Sequence, residues 1–172
     1  TGAERGQRGR RMIVMFTCDD ETSADDTRAT GLRHLWPVAR KRVWMCSSWE
    51  EVEQCQEWIP RVPGRSQQPV YYLRGSDEEP LQEFRATRLG HLFTAGRYDG
   101  LDFPGDEARI AFLPSLPVAV DAQERFFSAY LRDASFMKSR LSQRVAQALG
   151  RCNRSAADFA VYVLLDPRFE RL

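Results

Sequence analysis

Apolar residues along the chain gather into short runs separated by amphipathic stretches. Met12–Thr17 (MIVMFT) is nearly continuous and of strand length, and Val43–Cys46, Val70–Leu73, His91–Thr94, Arg109–Leu113 and Phe159–Leu165 repeat the theme. Such runs suit parallel strands covered on both faces. Helical stretches fall between them. Ala24–Trp36 is weakly patterned and stops at Pro37. Ser48–Ile59 has a capping serine, glutamates at 50, 51 and 53 in its first turns, and Pro60 at its end. Pro80–Leu89 runs into Gly90, and Gln123–Leu131 and Lys138–Leu149 complete the set. Pro63–Pro69 and Gly96–Asp106 read as loops. The alternation predicts an α/β domain, a mostly parallel sheet flanked by helices on both faces, with its working residues on loops beyond the sheet.

Length changes this picture little: 172 residues suit one domain. Residues 1–11, rich in Gly and Arg, are expected to be a linker or a domain edge, and 12–172 the domain itself. Charge adds more. The net charge is +1, yet lysine occurs only at Lys41 and Lys138, so nearly every cation is an arginine. Arginine's planar fork fits phosphate and carboxylate oxygens. Cys18, Cys46, Cys55 and Cys152 form no C-x-x-C pair, which gives no zinc or cluster motif, and a reduced, cytoplasmic or nucleoid-associated protein is expected. No apolar run is long enough to span a membrane. His34 and His91 are expected to be structural.

Candidate chemistry concentrates in two places. In Lys138–Arg154 (KSRLSQRVAQALGRCNR), Leu141, Val145 and Leu149 recur every four residues, while Arg140, Arg144, Gln147 and Arg151 fall on the opposite side. Arg154 joins them if the turn continues past Gly150. No acidic residue lies between Asp133 and Asp158, so the stripe lacks the mixed signs of an ordinary solvated face and is expected to meet an anion. The second place is Thr94–Asp106 (TAGRYDGLDFPGD), where Gly96, Gly100 and Gly105 permit tight turns, and Asp99, Asp102 and Asp106 offer carboxylates.

Together the two segments resemble a known family. Gln147-x-x-Gly150-Arg151-x-x-Arg154 is similar to motif VI of superfamily-two helicases, and Gly96-Arg97-Tyr98-Asp99-Gly100-Leu101-Asp102-Phe103-Pro104-Gly105 resembles motif V of the XPD and DinG branch. Met12–Thr17 then looks like motif IV. The resemblance implies the second RecA-like domain of a P-loop NTPase helicase, half of an ATPase site that uses ATP and Mg²⁺. It implies nucleic acid, with DNA the expected type, and a first RecA-like domain of the same polypeptide as partners. Arg151 and Arg154 would reach the ATP phosphates, one of them as an arginine finger. Gln147 and Gly150 would border the nucleotide, and Gly100 and Asp102 would link the loop to the ribose or to motif VI. Thr17, Thr94 and Arg97 would contact nucleic-acid phosphates. Arg97-Tyr98-Asp99 departs from the branch's aromatic-plus-glutamate pattern, and Cys152-Asn153 is an unusual filler in motif VI.

No G-x-x-x-x-G-K-[ST] loop occurs, so the phosphate-binding lysine and the magnesium ligands are expected from the first domain. Two other readings remain open on sequence: a non-catalytic nucleotide- or nucleic-acid-binding module, and a metal-dependent hydrolase built on Asp19, Asp20, Glu21 and Asp102.

Overall fold

A computed structural model describes residues 9–16, 24–59, 68–98, 100–117, 134–152 and 158–171. Its elements, in order, are β1 (Arg10–Met15), α1 (Ala24–Leu35), β2 (Lys41–Cys46), α2 (Trp49–Gln56), β3 (Val70–Leu73), α3 (Glu79–Ala86), β4 (Gly90–Ala95), β5 (Ile110–Leu113), α4 (Ala134–Ala148) and β6 (Phe159–Leu164). The strands form one sheet in the order β1-β6-β5-β2-β4-β3, and every pairing is parallel. The expected helix at Gln123–Leu131 lies outside the described residues.

Alternation along β2 shows how the sequence builds two cores. Its six residues are all buried. Val43 and Met45 point to a core shared with Leu81 and Phe84 of α3 and Val145 and Ala148 of α4. Trp44 and Cys46 point to the other core, with Leu32 of α1 and Val52 and Cys55 of α2. Helices therefore cover both faces, as predicted. Trp44 anchors the second core by stacking on Phe112 and Phe93 at centroid distances of 4.1 and 5.3 Å. Ser48 caps α2 by accepting from the Glu51 amide at 3.2 Å, and Glu51 reaches back to the Ser47 amide and hydroxyl.

The first strand departs from expectation. It begins at Arg10, two residues earlier, because parallel pairing with β6 (Arg10 with Phe159, Arg11 with Ala160) sets its extent rather than apolar content. It is also an edge strand, not one covered on both faces: Met12, Ile13 and Met15 are 62%, 50% and 45% exposed. The remaining boundaries shift by a few residues, the largest shift being in α4, which begins at Ala134 instead of Lys138.

Two buried polar features permit sharp tests. Gly90 has φ +149°, and a Cβ there would stand 2.9 Å from the Pro69 carbonyl oxygen, a backbone atom that cannot swing away. Gly90→Ala is therefore expected to lower stability by about 1–3 kcal/mol, measured as a reduced urea midpoint; an unchanged midpoint contradicts the geometry. His91 is fully buried, and its Nδ1 accepts from the Trp44 indole N–H at 3.0 Å, which requires that nitrogen to be unprotonated. Burial, helped by the Arg42 charge, lowers its pKa from 6.5 to about 3. The folded state thus resists a proton the unfolded chain accepts. The resulting stability is complete above about pH 6.5 and is lost as pH falls toward about 3, at about 1.4 kcal/mol per pH unit in that window. Urea unfolding at pH 7 and pH 5 is expected to show this loss, and His91→Gln a shallower one. An NMR titration placing the folded imidazole near its ordinary pKa contradicts it.

Candidate nucleotide and nucleic-acid site

The glycine-rich loop leaves the carboxyl end of β4 and crosses the sheet toward the amino end of β5. Its start is fixed by the Gly96 amide, which donates to the Cys46 carbonyl at 2.8 Å. Gly96, Gly100 and Gly105 have φ of +65°, +72° and +59°, so all three glycines occupy left-handed turns as their spacing suggested. Between them Tyr98, Leu101 and Phe103 are buried in the core shared with α3 and α4. The loop is thus nailed down by these three apolar residues, and Asp102 is held partly exposed between two of them.

The Gln147–Arg151 turn meets this loop from the other side. Helix α4 ends at Ala148, and Gly150 and Arg151 turn back, their amides donating to the Gln147 and Ala148 carbonyls. Arg151 is therefore not a member of the outward stripe predicted from helical periodicity. Its carbonyl accepts from the Phe103 amide at 2.8 Å. Its Nε donates to the Tyr98 carbonyl at 3.1 Å, and its Nη1 pairs with Asp102 Oδ1 at 3.4 Å. The Arg151 side chain is 14% exposed and that of Asp102 46%. Nη2 carries no hydrogen bond among the described residues. The rest of the stripe divides: Arg140 and Gln147 are exposed, while Arg144 is half-buried and donates to the Pro117 carbonyl at 3.2 Å. The counter-charge missing from the local sequence comes, for Arg151, from Asp102, 49 residues away in the chain.

The structure places the other candidates as follows. Gly150 has an ordinary φ, and a Cβ there would meet the Gln147 carbonyl at 3.4 Å, so the fold itself does not demand glycine. Gly100 is exposed with open space around it. Thr94 is fully buried, and its hydroxyl donates to the Arg97 carbonyl at 3.4 Å, which leaves it shaping the turn instead of presenting a hydroxyl at the surface. Arg97 donates to the Gly75 carbonyl at 3.4 Å and lies 3.6 Å from Glu78, with its side chain 29% exposed. Arg154, Thr17 and Asp99, together with Asp19, Asp20 and Glu21, lie outside the described residues. Among the described residues, no three His, Cys, Asp or Glu side chains converge on a metal-binding arrangement.

Three residues that sequence reasoning missed hold the site together. Arg85 of α3 donates through Nη2 to the Asp102 carbonyl and through Nε to Glu107, both at 3.0 Å, and so pins both ends of the Asp102–Glu107 segment. Asp158, before β6, accepts from the Gly105 amide at 3.2 Å and pairs closely with Arg109. Tyr162 accepts from the Cys152 amide at 3.1 Å, which fixes the turn beside Arg151. The cysteine itself is inert, since burial raises its pKa to about 12. No local pattern announces these contacts, because each joins residues far apart in sequence.

A parallel α/β domain in which a glycine loop and an arginine turn clasp each other is the architecture of a RecA-like helicase lobe. A profile of the helicase C-terminal domain matches residues 33–171, and the chain belongs to that family. No curated protein matches the chain. A solved structure of XPD helicase superposes with TM-score 0.61 at 19% identity, covering 95% of this chain and 32% of that one. A second, of XPD in the apo form, gives 0.59 at 19% identity, covering 95% and 37%. The chain thus has the fold of XPD-type helicases and spans about a third of their length. The family match begins at residue 33, so it leaves out β1, the strand that resembled motif IV. Among the described residues no helix is long and apolar enough to cross a membrane.

The Arg85 brace makes a local prediction. Arg85→Ala is expected to leave the sheet intact and to speed amide exchange at Phe103–Glu107 by about tenfold or more, read by hydrogen–deuterium exchange. Exchange unchanged in that segment contradicts the bracing role.

Proposed function

We propose that this domain is the second motor lobe of an ATP-dependent nucleic-acid helicase or translocase, and that it supplies half of an ATPase site. The observation that carries the proposal is the posture of Arg151. Two of its donors are tied to the motif V loop, by the Tyr98 carbonyl and Asp102, and its Nη2 is left without a partner among the described residues. A guanidinium fixed in this way is oriented before a phosphate arrives, so little reorganisation is needed when charge develops on a transferring phosphoryl group.

In this reading Arg151 and Arg154 face the ATP phosphates. Asp102 positions Arg151 and borders the ribose, Gly100 and Gly150 allow close approach, and exposed Gln147 contacts the nucleotide or steadies the arginines. The sequence carries no G-x-x-x-x-G-K-[ST] loop, and in this reading the phosphate-loop lysine and the Mg²⁺ ligands come from a first RecA-like domain of the same polypeptide. ATP supplies the phosphoryl group whose transfer to water drives closure and reopening of the two lobes. At the carboxyl edge of the sheet, Arg97 and the backbone amides of the Thr94 turn meet nucleic-acid phosphates, with Thr17 as a further contact and DNA as the strand.

The test is steady-state ATP hydrolysis with nucleic acid present. In the polypeptide that joins this domain to its first lobe, Arg151→Ala is expected to lower kcat by about 10³-fold or more, with Arg154→Ala comparable and both variants folded. The 172-residue chain alone is expected to turn over no ATP. Wild-type turnover in both variants, or brisk turnover by the isolated chain, defeats the proposal.

A further inference from the structure

The amino ends of the strands carry a surface that the motor reading does not use. Two cavities meet there. One, of about 780 Å³, is lined by Arg40, Lys41, Arg85, Arg88 and Arg109, with Asp106 and Glu107 opposite. The other, of about 890 Å³, runs along the starts of β1 and β6 past Arg10, Arg11 and Asp158. Val38 and Phe159 line both, so the cavities share an apolar saddle, and these two side chains are 50% and 47% exposed.

The charges on this surface do not balance. Six cationic side chains face three carboxylates; Arg11, next to Arg10 on β1, turns to the other face of the sheet, where its guanidinium stands 3.7 Å from the Cβ position of Gly150. The carboxylates are already taken: Glu107 pairs with Arg85, and Asp106 and Asp158 with Arg109. Lys41 is buried and donates to the Arg85 carbonyl at 3.0 Å. That leaves Arg10 on one side of the saddle and Arg40 and Arg88 on the other. All three are exposed, and none has an ion pair among the described residues. Like charges gathered around one groove repel each other unless an anion lies between them.

We infer that this amino-edge groove is a second binding site for a single nucleic-acid strand. Backbone phosphates lie on Arg10 to one side and on Arg40 and Arg88 to the other, and a base rests on the Phe159–Val38 saddle. The arginine fork matches phosphate oxygens, and an exposed aromatic between two cationic stretches is the arrangement by which single strands are held without sequence preference. One face of the Phe159 ring is backed by the Arg109 guanidinium at 4.3 Å, which fixes the ring as a platform. An acidic peptide would satisfy the cations but gives the exposed aromatic ring no specific partner. The inference extends the motor reading to a second contact surface, on the opposite edge of the sheet from Arg97.

The test uses the 172-residue chain and a fluorescein-labelled oligothymidine of about twenty nucleotides, followed by anisotropy across a salt series. Both Arg40 and Arg88 are exposed, so Arg40→Glu/Arg88→Glu is expected to fold as wild type by circular dichroism. It is expected to weaken binding about tenfold or more at low salt. Its log–log salt slope is expected to be shallower by about 1.4, because two phosphates are no longer neutralised. Phe159→Ala is expected to weaken binding about fivefold or more without changing the slope. Arg97→Glu tests the carboxyl edge separately. Loss confined to Arg97→Glu overturns the groove and leaves the motor reading standing, while loss confined to the groove variants supports the groove and removes the carboxyl-edge contact. No binding by the wild-type chain, or displacement of the oligonucleotide by polyglutamate at equal charge, also overturns the inference, the latter in favour of an acidic peptide.

Discussion

The motor reading of this domain depends on one joint, where the turn after α4 is fastened to the loop after β4. The joint has a backbone part, the Phe103 amide on the Arg151 carbonyl, and a side-chain part, the Arg151 guanidinium on the Tyr98 carbonyl and Asp102. Neither part is strong alone. A partly exposed ion pair at 3.4 Å contributes on the order of 1 kcal/mol or less. Its value is geometric. Fastening one residue to Tyr98, Asp102 and Phe103 of the same loop leaves the guanidinium little freedom to rotate. It also makes the posture of the arginine depend on the posture of the glycine loop.

The parallel sheet explains why these segments meet at all. The loop after β4 has to travel from the carboxyl end of one strand to the amino end of β5, so it crosses the depth of the domain. The turn after α4 must likewise deliver the chain to the amino end of β6, beside β5. Both connections therefore pass the same place. Phe103 and Leu101 plug the loop into the core, while Asp158 and Arg85 brace its far end. The early part of the loop stays at the carboxyl edge with Arg97, and Asp102 lies near the turn at Arg151. One loop thus spans two regions of the surface, which in the proposed motor links the nucleotide to the strand.

Much of this was legible in sequence, for a physical reason. Burial on two faces leaves continuous apolar runs, and β2, β4, β5 and β6 were read from theirs. Glycines at left-handed positions have few substitutes, so Gly96, Gly100 and Gly105 marked the loop correctly. The misreadings have equally definite causes. Met12–Met15 is as apolar as an interior strand, and nothing local says that it lies at the sheet edge, because edge position is a property of strand order. Helical periodicity carried Arg151 onto the stripe with Arg140 and Arg144, but the helix stops at Ala148 and the next residues fold back. Arg85, Asp158 and Tyr162 gave no signal, since their partners lie 10 to 53 residues away.

The corrected position of Arg151 changes how the arginines of this domain are understood. A stripe of equivalent cations on one helix would attract any anion and select none. The structure instead sorts them by what they already hold. Arg85 and Arg109 are committed to carboxylates and stiffen the loop. Arg144 is turned onto the Pro117 carbonyl, and Arg151 is half committed, with one edge of its fork anchored. Arg40 and Arg88 make no ion pair among the described residues. Anchored arginines suit a single phosphate that must be met at a fixed place, because orientation is settled before binding. Exposed ones suit a strand that slides, because each contact must form and break without rearranging the fold. The division of one residue type between these two states is what the domain's near-exclusive use of arginine makes possible, since a lysine ammonium has no fork to anchor by one edge and leave the other open.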